Sequence, residues 1–492
     1  MHYRAVYLVI FLVLGQLNLG FGQNIEARLD LKRKDPKPDF FEYSPTDGGL
    51  VTLGPTSNVS SRFLGITKYD DNLEKEWTQK VLEQNGRKNV DFVTVIGPYI
   101  FVFVSEFVPK DGIIKTYYYS FDMDGELLEE ERILAINPNK REHKVDLQYI
   151  LSPNKRKLMA FKNLQNNREA EEILYYIFDD EGELVQNGEF TIRYPDNRFA
   201  MRSLRVSNSG NIFVLGQFVR NNNIRDADAS KYLIYRYDLD TEEGIEFPIE
   251  LEDRFITDLA FRLDRDENMY VAGFYSNRNS EQIAGTVMQK ISIDGDLLIN
   301  AHERFDESFL RNFLSRGKVR KGGELRNFRL DSQDGIVLRS DGGILLIAEK
   351  FFVTSQTYRD IYGYWVDRDF FHFEEVILTS ISGTGEIEWH SIVDKNQISE
   401  DPSNLSYFNA FSSSGTHIFY EYRPNRNRFN VYYNTIGIEG EVSDRQALFR
   451  EYSESNEFFP RFCQQINSRE ALMVYMQNRG KVFSVVKVAL ME

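Results

Sequence analysis

The chain has 492 residues, 42% of them hydrophobic and 14% aromatic, enough apolar surface for a packed core, which argues against a disordered chain. Its formal net charge is -16, from 75 acidic against 59 basic residues, so attraction to nucleic acid or anionic lipid is disfavoured over the chain as a whole. A single cysteine, Cys463, excludes an intramolecular disulfide and leaves packing to hold the fold; its setting, Phe-Pro-Arg-Phe-Cys-Gln-Gln, is that of a buried, inert thiol.

The N-terminus begins Met-His-Tyr-Arg, continues through the apolar run from Ala5 to Leu14, and reaches Gly20-Phe21-Gly22 before Gln23. A positive start, a short hydrophobic stretch and small residues at the -3 and -1 positions predict a secretory signal peptide over 1–22. The expected location is therefore secreted or periplasmic, and the absence of a cysteine at the cleavage site removes the acceptor of a bacterial lipoprotein. No later segment approaches the ~20 apolar residues a spanning helix needs, so no membrane span is expected in the mature chain. Residues 23–38, with Leu-Lys-Arg-Lys-Asp-Pro-Lys-Pro, predict a flexible lead-in.

From residue 39 onward a short phrase recurs. It reads Tyr-Ser-Phe-Asp-Met-Asp-Gly-Glu-Leu at 119–127, Tyr-Ile-Phe-Asp-Asp-Glu-Gly-Glu-Leu at 176–184 and Lys-Ile-Ser-Ile-Asp-Gly-Asp-Leu at 290–297. Variants stand at 379–389 and 435–442 and, without the turn glycine, at 67–77 and 235–247. Each is a hairpin, because Asp-Gly or Glu-Gly between strand-like runs supplies the positive φ of a tight turn; its strands are C and D. Upstream lies a second hairpin, A and B, as in 204–218, 256–275, 336–352 and 408–422. Strand A is expected to begin near 39, 89, 143, 199, 255, 326, 403 and 458.

Four short antiparallel strands repeated at this spacing predict an all-β fold, a single β-propeller of four-stranded antiparallel blades over 39–492. Eight blades are expected, with seven as the alternative if the chain ends merge two units. The last unit stops after its C strand, and Phe40 to Tyr43 could supply the missing D strand and close the ring. Trp77 and Trp389, at the same place in two D strands, are expected to pack between blades.

The stretch Asp264-Arg-Asp-Glu-Asn-Met-Tyr-Val-Ala-Gly-Phe-Tyr-Ser, followed by Val287-Met-Gln-Lys-Ile-Ser-Ile-Asp-Gly-Asp-Leu, resembles bacterial β-propeller repeats of the SBBP type, and the whole chain is similar to exported propeller proteins of the Bacteroidota. The resemblance implies a fold and carries over no catalytic residue.

Two long connections interrupt the repeat, both on the face opposite the Asp-Gly turns: a D–A segment at about 303–326 and a B–C loop at about 353–374. The first has apolar residues at 305, 309, 310, 313 and 314, a helical spacing, and then Gly317-Lys-Val-Arg-Lys-Gly-Gly, so a short helix and a basic turn are expected. The second gathers aromatics with arginines, the composition of binding hot spots, although the same aromatics could form a satellite core over the blade. The two should meet in space. Candidate partner-binding residues are Arg316, Lys318, Arg320, Tyr358, Arg359, Tyr362, Tyr364, Trp365, Arg368 and Phe371.

Catalytic signatures are missing. The six histidines never fall at ligand spacing, and there is no nucleophile elbow, P-loop or dinucleotide-binding glycine pattern. Asp122-Met-Asp124-Gly125 lacks the remaining ligands of a calcium loop and predicts a plain hairpin turn. No cofactor and no metal are expected, and no catalytic residue can be assigned. The sequence points to an exported scaffold for a protein or glycan partner. The alternatives are a carbohydrate-active hydrolase or lyase with carboxylates at the central channel, and a structural component of a cell-envelope assembly.

Overall fold

A computed structural model describes residues 25–490, except 33–34, 36, 45–47, 57–62, 84–86, 138–146, 165–169, 196–197, 219–230, 252–253, 279–281, 332–334, 360–361, 426–427, 450–455 and 478–479. The expected signal peptide lies outside the described residues.

The described residues form eight antiparallel sheets, each built on four strands in the order A-B-C-D. Strand A begins at 40, 88, 148, 199, 255, 328, 407 and 457, within five residues of expectation in every blade. The sixth and eighth blades split strand A into two short pieces, Phe328–Leu330 with Ile336–Leu338 and Glu457–Phe458 with Gln464–Gln465. The seven-blade alternative is thereby excluded.

The core lies between blades rather than within one. Strands of period two carry apolar residues on both faces here, because every sheet is sandwiched by its neighbours. Val51, Leu53 and Ile66 of the first blade meet Val93, Val102 and Tyr117 of the second, and comparable buried clusters join each successive pair. The circle ends with Tyr43, Leu50 and Tyr69 of the first blade against Leu472, Val474 and Val485 of the eighth.

Closure corrects one expectation. The strand that completes the eighth blade is Ile25–Lys32, paired antiparallel with Val482–Ala489, whereas Phe40–Tyr43 is strand A of the first blade. Half of the expected lead-in, residues 25–32 of 23–38, is thus ordered as a strand. Its sequence, Ile-Glu-Ala-Arg-Leu-Asp-Leu-Lys, alternates apolar with charged residues, so Ala27, Leu29 and Leu31 face the first blade while the charged residues face outward. Arg28 binds Gln477 at 2.8 Å, and Lys487 bridges Asp71 of the first blade at 2.8 Å and Glu470 of the eighth at 3.2 Å.

Candidate functional site

In each blade the A–B and C–D turns fall at one end of the sheet and the B–C and D–A connections at the other. The turn face is regular. Asp122 Oδ1 accepts the amides of Asp124 and Glu126 at 3.0 and 2.8 Å, and Asp179 Oδ1 holds Glu181 and Glu183 in the same way. These carboxylates are spent on their own backbone, which is the hairpin role expected for the Asp-Gly phrase.

The glycine that follows adopts a left-handed φ, +86° at Gly125 and +85° at Gly440. In the turns lacking glycine, Leu73 and Glu242 take that conformation at +61° and +57°. The glycines also admit a neighbour. A Cβ on Gly125 would stand 3.0 Å from Trp77, and one on Gly440 would stand 2.6 Å from Trp389. Trp77 Nε1 donates to the Met123 carbonyl at 3.0 Å and Trp389 Nε1 to the Ile438 carbonyl at 2.9 Å; Gln186 reaches the Leu239 carbonyl at 3.2 Å from the corresponding place in the third blade. The two tryptophans therefore pack between blades, as their equivalent positions predict.

The opposite face is broken in the fifth and sixth blades. The B–C connection is not a loop but a β-hairpin arm. Ile344–Arg359 and Trp365–Ile381 continue past the sheet, pairing from Phe351 with Phe373 out to Arg359 with Trp365, an extension of roughly 25–30 Å. Gln397–Ser399 adds a third strand against 371–373, so the base is three-stranded and the tip two-stranded.

The aromatics divide accordingly. Phe351 packs on Phe373 at 4.8 Å and Phe352 stacks on His372 at 4.3 Å at the base. At the tip Tyr362, Tyr364 and Trp365 are 78%, 71% and 68% exposed. Arg359 lies over Trp365 at 5.0 Å; Arg368 lies over Tyr358 at 4.6 Å and pairs with Glu400 at 2.8 Å. Phe371 is half-buried against the added strand.

The D–A segment folds as two short helices, α1 (Glu307–Leu310) and α2 (Arg316–Arg320); the basic stretch expected as a turn is largely α2. Asp306 caps α1 by accepting the Phe309 amide at 2.9 Å, and its hydrogen bond to Ser308 holds its carboxyl below the usual range. Phe305, Phe309, Leu310, Val319 and Leu325 are buried between the fifth and sixth blades, with Phe309 stacked on His390 at 4.4 Å. The helical spacing in the sequence was therefore a wedge between blades.

Beside that wedge a cavity of about 550 Å³ opens, lined by Lys318 and Lys321 from the segment and by Lys350 and Glu375 from the arm base. The two interruptions do meet, at the base of the arm. Lys318 is in this wall, while Arg316 and Arg320 are exposed on α2 and the predicted arm residues lie outward along the hairpin.

Toward the ring centre a second cavity, about 570 Å³, is lined by strand A residues of three blades, including Arg329, Tyr407 and Gln464, with Glu349 and Phe351 behind them. Glu349 pairs with the fully buried Lys395 and accepts the Ser406 hydroxyl at 2.6 Å; burial raises the carboxyl and depresses the ammonium. Two other inner-strand carboxyls escaped sequence reasoning, which could not pick them from many acidic residues. Burial pushes Glu42 up to about 7 and Asp258 up to about 6.

Two histidines and the cysteine are held in the packed interior. Burial lowers His390 and His417 to about 4; His417 bridges the hydroxyls of Ser412 at 2.8 Å and Thr435 at 3.0 Å. Burial raises the Cys463 thiol, whose sulfur accepts the Val474 amide at 3.4 Å. Among the described residues no group of three or more His, Cys, Asp and Glu side chains is gathered as a metal site, and no helix is long and apolar enough to cross a membrane.

No protein-family model matches the chain, and no curated protein does. Among solved structures it is similar to the β-propeller domain of the Trilobed protease from Pyrococcus furiosus, at 12% identity and TM-score 0.35, covering 82% of this chain and 96% of that one. It is also similar to the polysaccharide lyase Uly1, at 9% identity and TM-score 0.34, covering 82% and 90%. A third likeness is prolyl oligopeptidase B from Galerina marginata, at 13% identity and TM-score 0.34, covering 82% of this chain and 56% of that one. The strand order of the eight sheets defines the fold as a β-propeller.

Proposed function

We propose that this protein is an exported propeller that holds a protein or glycan partner on the face bearing the arm and the helical wedge. The observation that carries this reading is the arm tip, where Tyr362, Tyr364 and Trp365 stand exposed at the end of a hairpin the ring does not need for closure. Large aromatics left in water beside arginines are the usual anchors of recognition surfaces. Export is supported by the pattern of the first 22 residues, and kinship with exported SBBP-type propellers of the Bacteroidota belongs to the same proposal.

The test is to replace 354–370 by a tight turn and compare partner retention and thermal unfolding with those of the intact chain. The reading expects unchanged folding and lost retention. Retention by the shortened protein would remove the site.

A second reading is cleavage of carbohydrate at the channel; burial raises the carboxyls of the strand A residues Glu42 and Asp258, the direction a general acid needs. Incubation with a polysaccharide panel decides it: products that disappear in Glu42→Gln or Asp258→Asn variants support cleavage, and no product excludes it for those substrates.

A further inference from the structure

The cavity beside the helical wedge has a charge balance opposite to that of the chain. Its walls carry Arg278, Lys318, Lys321, Arg326 and Lys350 against Glu324 and Glu375, in a protein of formal net charge -16. Both carboxylates are already engaged. Glu324 is buried and accepts the Ser276 hydroxyl at 2.7 Å and the Asn277 amide and side chain at 3.2 and 3.1 Å. Glu375 pairs with Lys350 at 3.1 Å, and Lys350 also holds Glu374 at 2.6 Å. Among the described residues, the side chains of Arg278, Lys318 and Lys321 have no carboxylate at ion-pair distance, whereas Arg156, Arg193 and Arg368 elsewhere on the ring all do.

The walls are fixed before any ligand arrives. Glu324 ties the wedge to the end of strand B of the fifth blade, Leu325 and Ile283 exchange both backbone hydrogen bonds at 2.8 and 2.9 Å, and α2 is closed by Gly323 donating to the Lys318 carbonyl at 2.9 Å. Phe313 and Phe328, edge to face at 5.3 Å, give the cavity an apolar side. A preformed concavity of this size lined by a few charged groups is the usual form of a small-ligand site.

We infer that this cavity binds a small ligand through an oxyanion group, a carboxylate, sulfate or phosphate, held by Arg278, Lys318 and Lys321. The inference deepens the reading of this face as a partner surface by naming an acidic group on what is bound there.

The test is calorimetric titration of the full mature chain with glucuronate, inorganic sulfate and inorganic phosphate at two salt concentrations. One-to-one binding of at least one of the three is expected, weakening with salt, and the preferred probe identifies the source of the oxyanion. Lys318→Glu with Lys321→Glu should weaken it by about tenfold or more, and Arg278→Gln should weaken it without reversing charge. All three positions are at the surface of the wedge or its rim, and thermal unfolding of each variant verifies the fold. Absence of binding by all three probes at millimolar concentration, or binding that the variants leave unchanged, overturns the inference. A Tyr362→Ala, Tyr364→Ala, Trp365→Ala variant should bind the anion normally; this separates failure of the cavity from failure of the arm.

Discussion

Gly440 and Gly363 share a backbone conformation, with φ of +85° and +84°, and differ in everything around them. Gly440, on the turn face, has Trp389 where a Cβ would stand, while Gly363, at the arm tip, has nothing within 4 Å. The pair summarises the two faces of the ring. On one, the C–D turns at Gly125, Gly295 and Gly440 close on Trp77, Phe247 and Trp389 of the blade before them, and the repeat builds that joint. On the other, the connection after the fifth blade wedges between blades while the arm of the sixth leaves the ring, and together they carry exposed aromatics and, among the described residues, cations with no carboxylate at ion-pair distance.

The largest expected effect lies where the ring closes. Removing residues 25–32 uncovers the edge of Val482–Ala489 and the cluster around Tyr43 and Leu50, and should cost on the order of 5 kcal/mol and cause self-association through the bare edge. Thermal unfolding and light scattering would measure both; a monomer of unchanged stability would mean that closure does not depend on this strand.

Next comes the glycine pair itself. Gly440→Ala should lose about 3 kcal/mol, combining left-handed strain with displacement of the Trp389 ring, whereas Gly363→Ala should lose only about 1 kcal/mol from strain alone. Denaturant melts of the two variants isolate the packing component of the turn face. Equal losses would erase the distinction.

Glu42 gives a smaller, pH-dependent effect. Its folded value of about 7 lies above its ordinary 4.5, so the folded state holds the proton more tightly, and the stability this contributes is full below pH 4.5 and lost as pH rises through 7. Glu42→Gln removes the cost of burying the charge, and should stabilise the protein by about 2 kcal/mol at pH 8 while leaving it unchanged at pH 4. Unfolding measured at both values checks the sign. The tip variant, Tyr362→Ala with Tyr364→Ala and Trp365→Ala, should change stability least, within about 0.5 kcal/mol, because those rings already face water.

How legible this was depends on repetition. Blade number, strand starts and the interblade tryptophans were readable because the same residues recur at the same offsets. The closing strand was missed although Ala27, Leu29 and Leu31 alternate plainly, because the basic, proline-containing stretch beside it dominated the composition. The arm was read as a loop since its strands, with Thr354, Ser355, Gln356 and Thr357 exposed, lack a buried face to pattern them. Arg278 and Arg326 could not be grouped with Lys318 from sequence, because only the fold of the wedge brings them to one cavity.

The central claim is that recognition belongs to the interrupted face. A photo-crosslinking residue placed at Tyr364 of the arm tip, and in a second protein at the exposed Asp124 of the turn face, tests it in one measurement on the native producing cells. The account predicts a discrete covalent adduct from position 364 and none from 124. Adducts from 124 alone, or from both positions equally, would contradict it.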